Sequence, residues 1–215
     1  MSERQERRSE WGQERRCATY QDILDAPEHK VAELIDGELF LSPRPAGPHT
    51  SVASNLGDEL GPPFKRGRGG PGGWILLDEP ELHFDQRRKV LVPDLAGWRR
   101  EHMPIVEDVP GFTIRPDWVC EVLSRSTQRL DRARKLPIYA AQQVAHVWLL
   151  HPHDRTLEVL RLHDGMWLTV AVHEGEQRVR AEPFDAIDLD LASLWADLPI
   201  HANEPNAPYE LDIAG

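Results

Sequence analysis

Residues 116–150 read PDWVCEVLSRSTQRLDRARKLPIYAAQQVAHVWLL. Within them, Asp117–Leu123 is an apolar run in which Trp118, Val119, Cys120, Val122 and Leu123 surround one acid, Glu121. Its length and bounds suit a buried strand. Gln128–Gln143 has a helical pattern with Pro137 as a flaw, because proline removes a helix hydrogen bond. Ala145–Leu150 is again apolar and of strand length. Strand, helix and strand in this order put the chain in the α/β or α+β class, with one central sheet.

The flanking segments extend that sheet. Downstream, Thr156–Leu162 and Met166–His173 form a hairpin across His163-Asp164-Gly165, and Leu191–Leu198 is a final helix. Upstream, Thr19 caps a helix over Tyr20–Ala26 that Pro27 closes. Val31–Ile35 and Glu38–Ser42 flank Asp36-Gly37, a strong two-residue hairpin signal. His49–Leu60 is a helix with Val52, Leu56 and Leu60 on one face, stopped by Gly61-Pro62-Pro63. Lys65–Gly73 is a basic, flexible loop. Trp74–Leu77 and Glu81–Phe84 are the arms of a second strand pair. Val90–Ala96 is a strand interrupted by Pro93, which implies a sheet edge or a bulge. Residues 97–115 are a long connection. No internal repeat is visible.

The chain has 215 residues, which favours one domain with enough length for a core of its own. That domain is expected over residues 18–200, between a disordered charged arm at 1–17 and a loose tail at 201–215. Charged residues make up 28% and hydrophobic ones 40%, an ordinary balance for a soluble protein. The net charge of −11 excludes a uniformly basic, nucleic-acid-coating surface. Residues 65–135 nevertheless carry 14 basic and 11 acidic groups, so the middle of the chain is locally cationic. That stretch either focuses an anionic ligand or is a solvated face. No apolar run approaches the roughly 20 residues of a membrane span. The charged N-terminus lacks the apolar core of a secretory signal. Two cysteines, Cys17 and Cys120, make neither a disulfide scaffold nor a four-cysteine zinc site. These bounds imply a soluble, cytoplasmic protein that does not span a membrane.

Four acids interrupt apolar strands: Glu33 in VAELI, Asp94 in LVPDLAG, Asp117, and Glu121 in WVCEVLS. A carboxylate there costs several kcal/mol unless it is paired or binds metal. Any one of them alone is also accommodated at a strand end or on an outward face. Together, a Pro-Asp near one strand, a central Glu on the next and a helix rich in Arg and Lys suit phosphodiester cleavage. Two carboxylates would hold a hard divalent cation, Mg²⁺ or Mn²⁺. Such a cation polarises a phosphoryl oxygen and acidifies a bound water.

The strings AELIDGELFLSPRP, VPDL and PDWVCEVLSRSTQRLDRARKLPIYAAQQVAHVWLLHP resemble the Uma2 family, also called DUF820, of the PD-(D/E)XK nuclease superfamily. The resemblance covers roughly residues 18–198. It implies a restriction-endonuclease-like core, a mixed β-sheet flanked by helices. Carried over position by position, Asp94 is the motif Asp, Glu121 the motif Glu, and Glu33 the acid of the ELIDGE segment. Leu123 stands where the simple superfamily pattern has lysine. In the family that lysine is displaced to the following helix, and Lys135 is the matching residue. Val122 would supply a carbonyl as third metal ligand. His49 falls at the family's histidine before the first long helix, where it either touches substrate or caps the helix.

Independently of the resemblance, Arg125, Arg129, Arg132, Arg134 and Lys135 against Asp131 make residues 125–135 strongly basic. In a continuous helix Arg125, Arg129 and Arg132 share one face, suited to phosphates by charge rather than by sequence. Lys65 and Arg66 are the candidates on the other basic segment. A face of solvated arginines is the alternative. His151 and His153 lack a third ligand of suitable spacing, Cys120 sits among apolar neighbours that make a thiol inert, and no serine-hydrolase turn is present. Two functions follow from different classes. One is a metal-dependent endonuclease acting on nucleic acid, DNA above all. The other is a catalytically idle relative that binds nucleic acid or a protein partner. The 156–173 hairpin offers edge strands to a second subunit, and a homodimer would suit double-strand cleavage.

Overall fold

The computed structural model describes residues 17–85, 88–124 and 127–199. Residues 1–16 of the expected arm, and the expected tail at 201–215, lie outside the described residues. In chain order, α1 (Tyr20–Leu24) leads into β1 (Lys30–Ile35) and β2 (Glu38–Pro43), then α2 (Gly47–Leu60), β3 (Trp74–Asp78) and β4 (Leu82–Asp85). Next come β5 (Lys89–Leu91), β6 (Leu95–Arg99), β7 (Trp118–Val122), α3 (Gln128–Leu130) and α4 (Leu136–Ala141). The described chain finishes with β8 (His146–His151), β9 (Thr156–His163), β10 (Met166–Glu174), β11 (Arg178–Val179), β12 (Leu189–Asp190) and α5 (Leu191–Leu194).

The strands form a six-stranded sheet of order β10-β9-β8-β7-β6-β3, a four-stranded sheet of order β2-β1-β5-β4, and a small β11-β12 pair. In the large sheet β7 and β8 run parallel, with Cys120 beside Trp148, and every other pairing is antiparallel. The chain between β7 and β8 must cross over, and α3 and α4 supply that connection. The fold is therefore the expected mixed α/β core, a central mixed sheet flanked by helices.

Strand β7 is buried on both faces, and its alternation assigns each side chain to one of two cores. Trp118, Cys120 and Val122 pack with Val52, Leu56 and Leu60 of α2 and with Phe184. Val119 packs on the opposite side with Ile138 and Tyr139 of α4. Glu121, two residues on from Val119, faces the α3–α4 side for the same reason.

Both hairpins expected at Asp-Gly turns form. Asp36 and Gly37 have φ of 53° and 83°, as do Asp164 and Gly165 at 49° and 77°, the positive values a tight strand turn requires. Four expectations are corrected. Trp74–Leu77 does not pair with Glu81–Phe84: β3 pairs β6 and β4 pairs β5. Glu79, at φ 44°, turns the chain from one sheet into the other. Val90–Ala96 is not one strand, since β5 and β6 belong to different sheets, and Pro93, with no N–H to give a ladder, stands at the break. Helix α2 is not stopped at Gly61-Pro62-Pro63 but continues into a π-helical turn, Gly61–Lys65. A second π turn, Asp131–Lys135, interrupts the expected continuous helix after α3. Among the described residues no helix is long and apolar enough to cross a membrane.

Candidate active site

The break at Pro93 creates the site. Leu95 beside Cys120 begins the β6–β7 pairing, so the position opposite Glu121 is left to Asp94. With no strand partner there, the Val122 amide donates to Asp94 Oδ2 at 2.6 Å. A strand residue's N–H and C=O point to the same neighbour. The Val122 carbonyl therefore faces the Asp94 side as well. Asp94 Oδ1 lies 2.6 Å from His49 Nε2, in the first turn of α2.

Three further elements converge on Glu121. From the π turn, Lys135 places Nζ 2.8 Å from Glu121 Oε1 and 3.1 Å from Glu33 Oε1, with Asp131 Oδ1 at 3.5 Å. From α4, the Tyr139 hydroxyl donates to Glu121 Oε1 at 2.5 Å. From β1, Glu33 Oε1 accepts the Val92 amide at 2.8 Å, which ties the small sheet to the break in the large one. Glu33, Glu121, Asp131 and Lys135 are all buried. A π turn inserts one extra residue into a helix and recurs at functional sites. Here it brings Lys135 inward, while Arg132 and Arg134 lie outside the pocket lining.

Burial pushes the Glu121 carboxyl well above the usual carboxylate range, and Lys135 only partly offsets this while Asp131, Asp94 and Glu33 reinforce it. Burial likewise raises Asp131. For Lys135 burial acts downward, but Glu121 and Glu33 outweigh it and the ammonium stays charged. Burial and the nearby carboxylate hold Tyr139 far above the ordinary phenol value, so it is a fixed neutral donor. Burial also raises the Cys120 thiol, which keeps it protonated and inert.

Glu33, His49, Asp94, Glu121, Val122 and Lys135 line one pocket of about 150 Å³, joined at its rim by Arg44. The donor set is hard: carboxylate oxygens with a backbone carbonyl at hand. Among the described residues no three His, Cys, Asp or Glu side chains are grouped to hold a metal ion. A cation here would therefore rest on two carboxylates and complete its shell with the carbonyl and water, the habit of Mg²⁺. The residues fit such an ion.

The basic candidates lie elsewhere. Arg132 is paired to Glu158 on β9, one of the two bonds measuring 3.1 Å. Arg129 is exposed, and Arg125 lies outside the described residues. Lys65 donates to the Leu76 carbonyl on β3 at 3.0 Å. Lys65 and Arg66 line a separate depression with Asp58 and Asp78. Strands β9 and β3 are four steps apart in the large sheet, about 19 Å at the usual strand spacing. Tyr139 and Arg44 had no sequence reading as site residues. Tyr139 lies four residues after Lys135 within the string that resembles the family, but no role is read for it there.

The family model described as "Putative restriction endonuclease", Uma2, matches residues 17–192. A solved structure described as "a putative nuclease belonging to DUF820", from Anabaena variabilis, superposes with a TM-score of 0.65 at 22% identity, covering 83% of this chain and 97% of that one. At that identity the likeness shows the fold. No curated protein matches the chain.

Proposed function

The chain belongs to the Uma2 family, and from that premise we propose that it is a metal-dependent endonuclease that hydrolyses phosphodiester bonds of nucleic acid, DNA above all, in the cytoplasm. The observation that carries this reading is the meeting of Asp94 and Glu121 in one pocket, with Lys135 fixed beside them by Glu33 and Asp131. Asp94, Glu121 and the Val122 carbonyl would hold Mg²⁺ or Mn²⁺, which supplies Lewis-acid polarisation of the phosphoryl oxygen and a more acidic water. Glu33 and Tyr139 position Glu121 and Lys135. Lys135 sets a fixed positive charge beside the place where negative charge grows in the transition state, which such preorganised groups stabilise. His49 orients the Asp94 carboxylate from the other side. Cleavage of both strands calls for two sites. We place the second in another copy paired through the edge strand β10, where Met166, Leu168 and Val172 are exposed.

One observation favours the second reading, a nucleic-acid- or protein-binding relative that does not cut. The Lys135 ammonium is already matched by three carboxylates. Two measurements on one pair of proteins separate the readings. Supercoiled plasmid incubated with Mn²⁺ should be nicked by the wild type, not with chelator, and not by Asp94→Asn. In the same buffers Mn²⁺ should raise the melting temperature of the wild type by linkage and leave that of Asp94→Asn unmoved. A full metal-induced shift in Asp94→Asn would misplace the site. A shift in the wild type without nicking would favour the idle relative.

A further inference from the structure

We propose that Arg44 is the group that grips the phosphate of the strand to be cut. The inference rests on the nuclease reading and adds a substrate-binding residue to it.

The electrostatics of the pocket pose the problem. Its lining includes the carboxylates of Glu33, Asp94, Glu121 and Asp131. The buried cation, Lys135, is within 3.5 Å of three of them, so four carboxylates face one ammonium. A phosphodiester approaching this mouth meets net negative charge. A cation bound at Asp94 and Glu121 removes part of it, and a second positive group at the rim must supply the rest. Among the described residues, the Arg and Lys side chains of the pocket lining are Lys135 and Arg44. Unlike Lys135, Arg44 is open to solvent, with its side chain 55% exposed.

Its mounting suits the task. Arg44 stands between Pro43 and Pro45, whose rings fix φ. Pro43 is the last residue of β2 and is registered against Lys30 of β1, so the backbone leaves a paired strand directly into the rim. The guanidinium is only loosely held. It lies 3.4 Å from Glu79 Oε2, a carboxylate itself 44% exposed, and donates to the Glu28 carbonyl at 3.3 Å. Exposed pairs of this kind are weak and exchange readily. Glu79 is anchored beside the reacting centre, since its amide donates to the Asp94 carbonyl at 3.0 Å. Arg44 thus stands at the Asp94 lip, parked on a carboxylate that a phosphate can displace. Planar guanidinium binds phosphate oxygens in a bidentate fork that lysine cannot copy.

The bland alternative is a clasp in which Arg44 merely ties the β2–α2 connection to the chain after β3. The experiment uses the full chain and a 20-base-pair duplex, with cleavage followed in Mn²⁺ and binding in Ca²⁺. Arg44→Gln is expected to raise KM about tenfold or more, the scale of losing a charged hydrogen bond. It should leave kcat within about twofold and lower the salt slope of log Kd by about one phosphate's worth. Its melting temperature should match the wild type. Arg44→Lys should recover only part of the loss. Glu79→Gln, which removes the competing carboxylate, should bind the duplex more tightly. Arg180→Gln, an exposed arginine paired with Asp188 at 2.8 Å, is the surface control. An unchanged KM in Arg44→Gln overturns the proposal, as does a KM rise matched by a fall in melting temperature or a Glu79→Gln variant that binds more weakly. If the wild type neither binds nor cuts the duplex, the nuclease reading fails, and this assignment with it.

Discussion

Lys135 holds together a group that would otherwise push apart. Three buried carboxylates, from β1, β7 and the π turn, share its ammonium. Removing one partner of a buried ion pair strands the others, at a cost of about 3–5 kcal/mol. Lys135→Met is expected to lose stability on that scale, read by urea unfolding. The loss should also depend on pH in a fixed sense. Glu121 and Asp131 already sit above the usual carboxylate range in the folded state because burial disfavours their charge. A group with a raised folded-state pKa gives stability that is full in acid and fades as pH rises through that pKa. Without the lysine both should rise further, so the deficit of Lys135→Met should be small in acid and grow towards neutral pH and above. A deficit independent of pH would mean that the carboxylates are not what Lys135 holds. Tyr139→Phe is a gentler probe. It keeps the ring packing and takes one donor from Glu121, a change worth about 1–3 kcal/mol.

Gly97, at the middle of β6, shows how tightly the elements around the site are packed. A Cβ there would lie 2.9 Å from Leu76 Cδ2 and 3.1 Å from Trp118 Cε3. Gly97→Ala should cost about 1–3 kcal/mol by overpacking, and a domain of this size loses about 2–4 °C of melting temperature per kcal/mol. An unchanged melting temperature would mean that Trp118 moves freely in its core. The same element shows what sequence patterns can and cannot reveal. The two Asp-Gly hairpins were legible because positive φ at two adjacent residues has a local chemical signature. Strands β7 and β8 were legible from apolar content, and Glu33, Asp94 and Glu121 from being acids in apolar segments, although Asp94 proves to stand at a break between strands. The partner of β3 was not, because β6 lies some 20 residues away in sequence and pairing over that distance leaves no local mark. The π turn at Asp131–Lys135 was hidden for a related reason. One inserted residue barely disturbs a 3.6-residue pattern, yet it decides which cations turn inward. Tyr139 on an apolar helix face looks like core, and Arg44 between two prolines looks like loop.

At the scale of the whole molecule, the groups of the candidate site sit where two sheets meet, and buried groups act on the pH dependence of stability in opposite senses. The acid cluster loses stability as pH rises. Two histidines on the large sheet act in the opposite sense. Burial lowers His146, with Arg161 and Arg99 adding to the effect against Glu182. Burial alone lowers His173, whose Nε2 has no hydrogen-bond partner among the described residues. For a histidine with a depressed folded-state pKa the stability is full above the unfolded value, about 6.5. It is lost as pH falls through the folded-state value, since protonation then favours the unfolded chain. The histidine contribution to the melting temperature should therefore decline below about pH 6.5, while the opposing contribution of the acid cluster falls as pH rises from the ordinary carboxylate value of about 4. The double variant His146→Gln, His173→Gln should flatten that decline while leaving the opposite slope, which belongs to Glu121 and Asp131, unchanged. Melting curves between pH 4 and pH 9, on the order of one unit apart, are enough to see both contributions. An acid limb as steep in the double variant as in the wild type would assign it to other groups. A change in the opposite slope would show that the two ends of the sheet titrate together rather than apart.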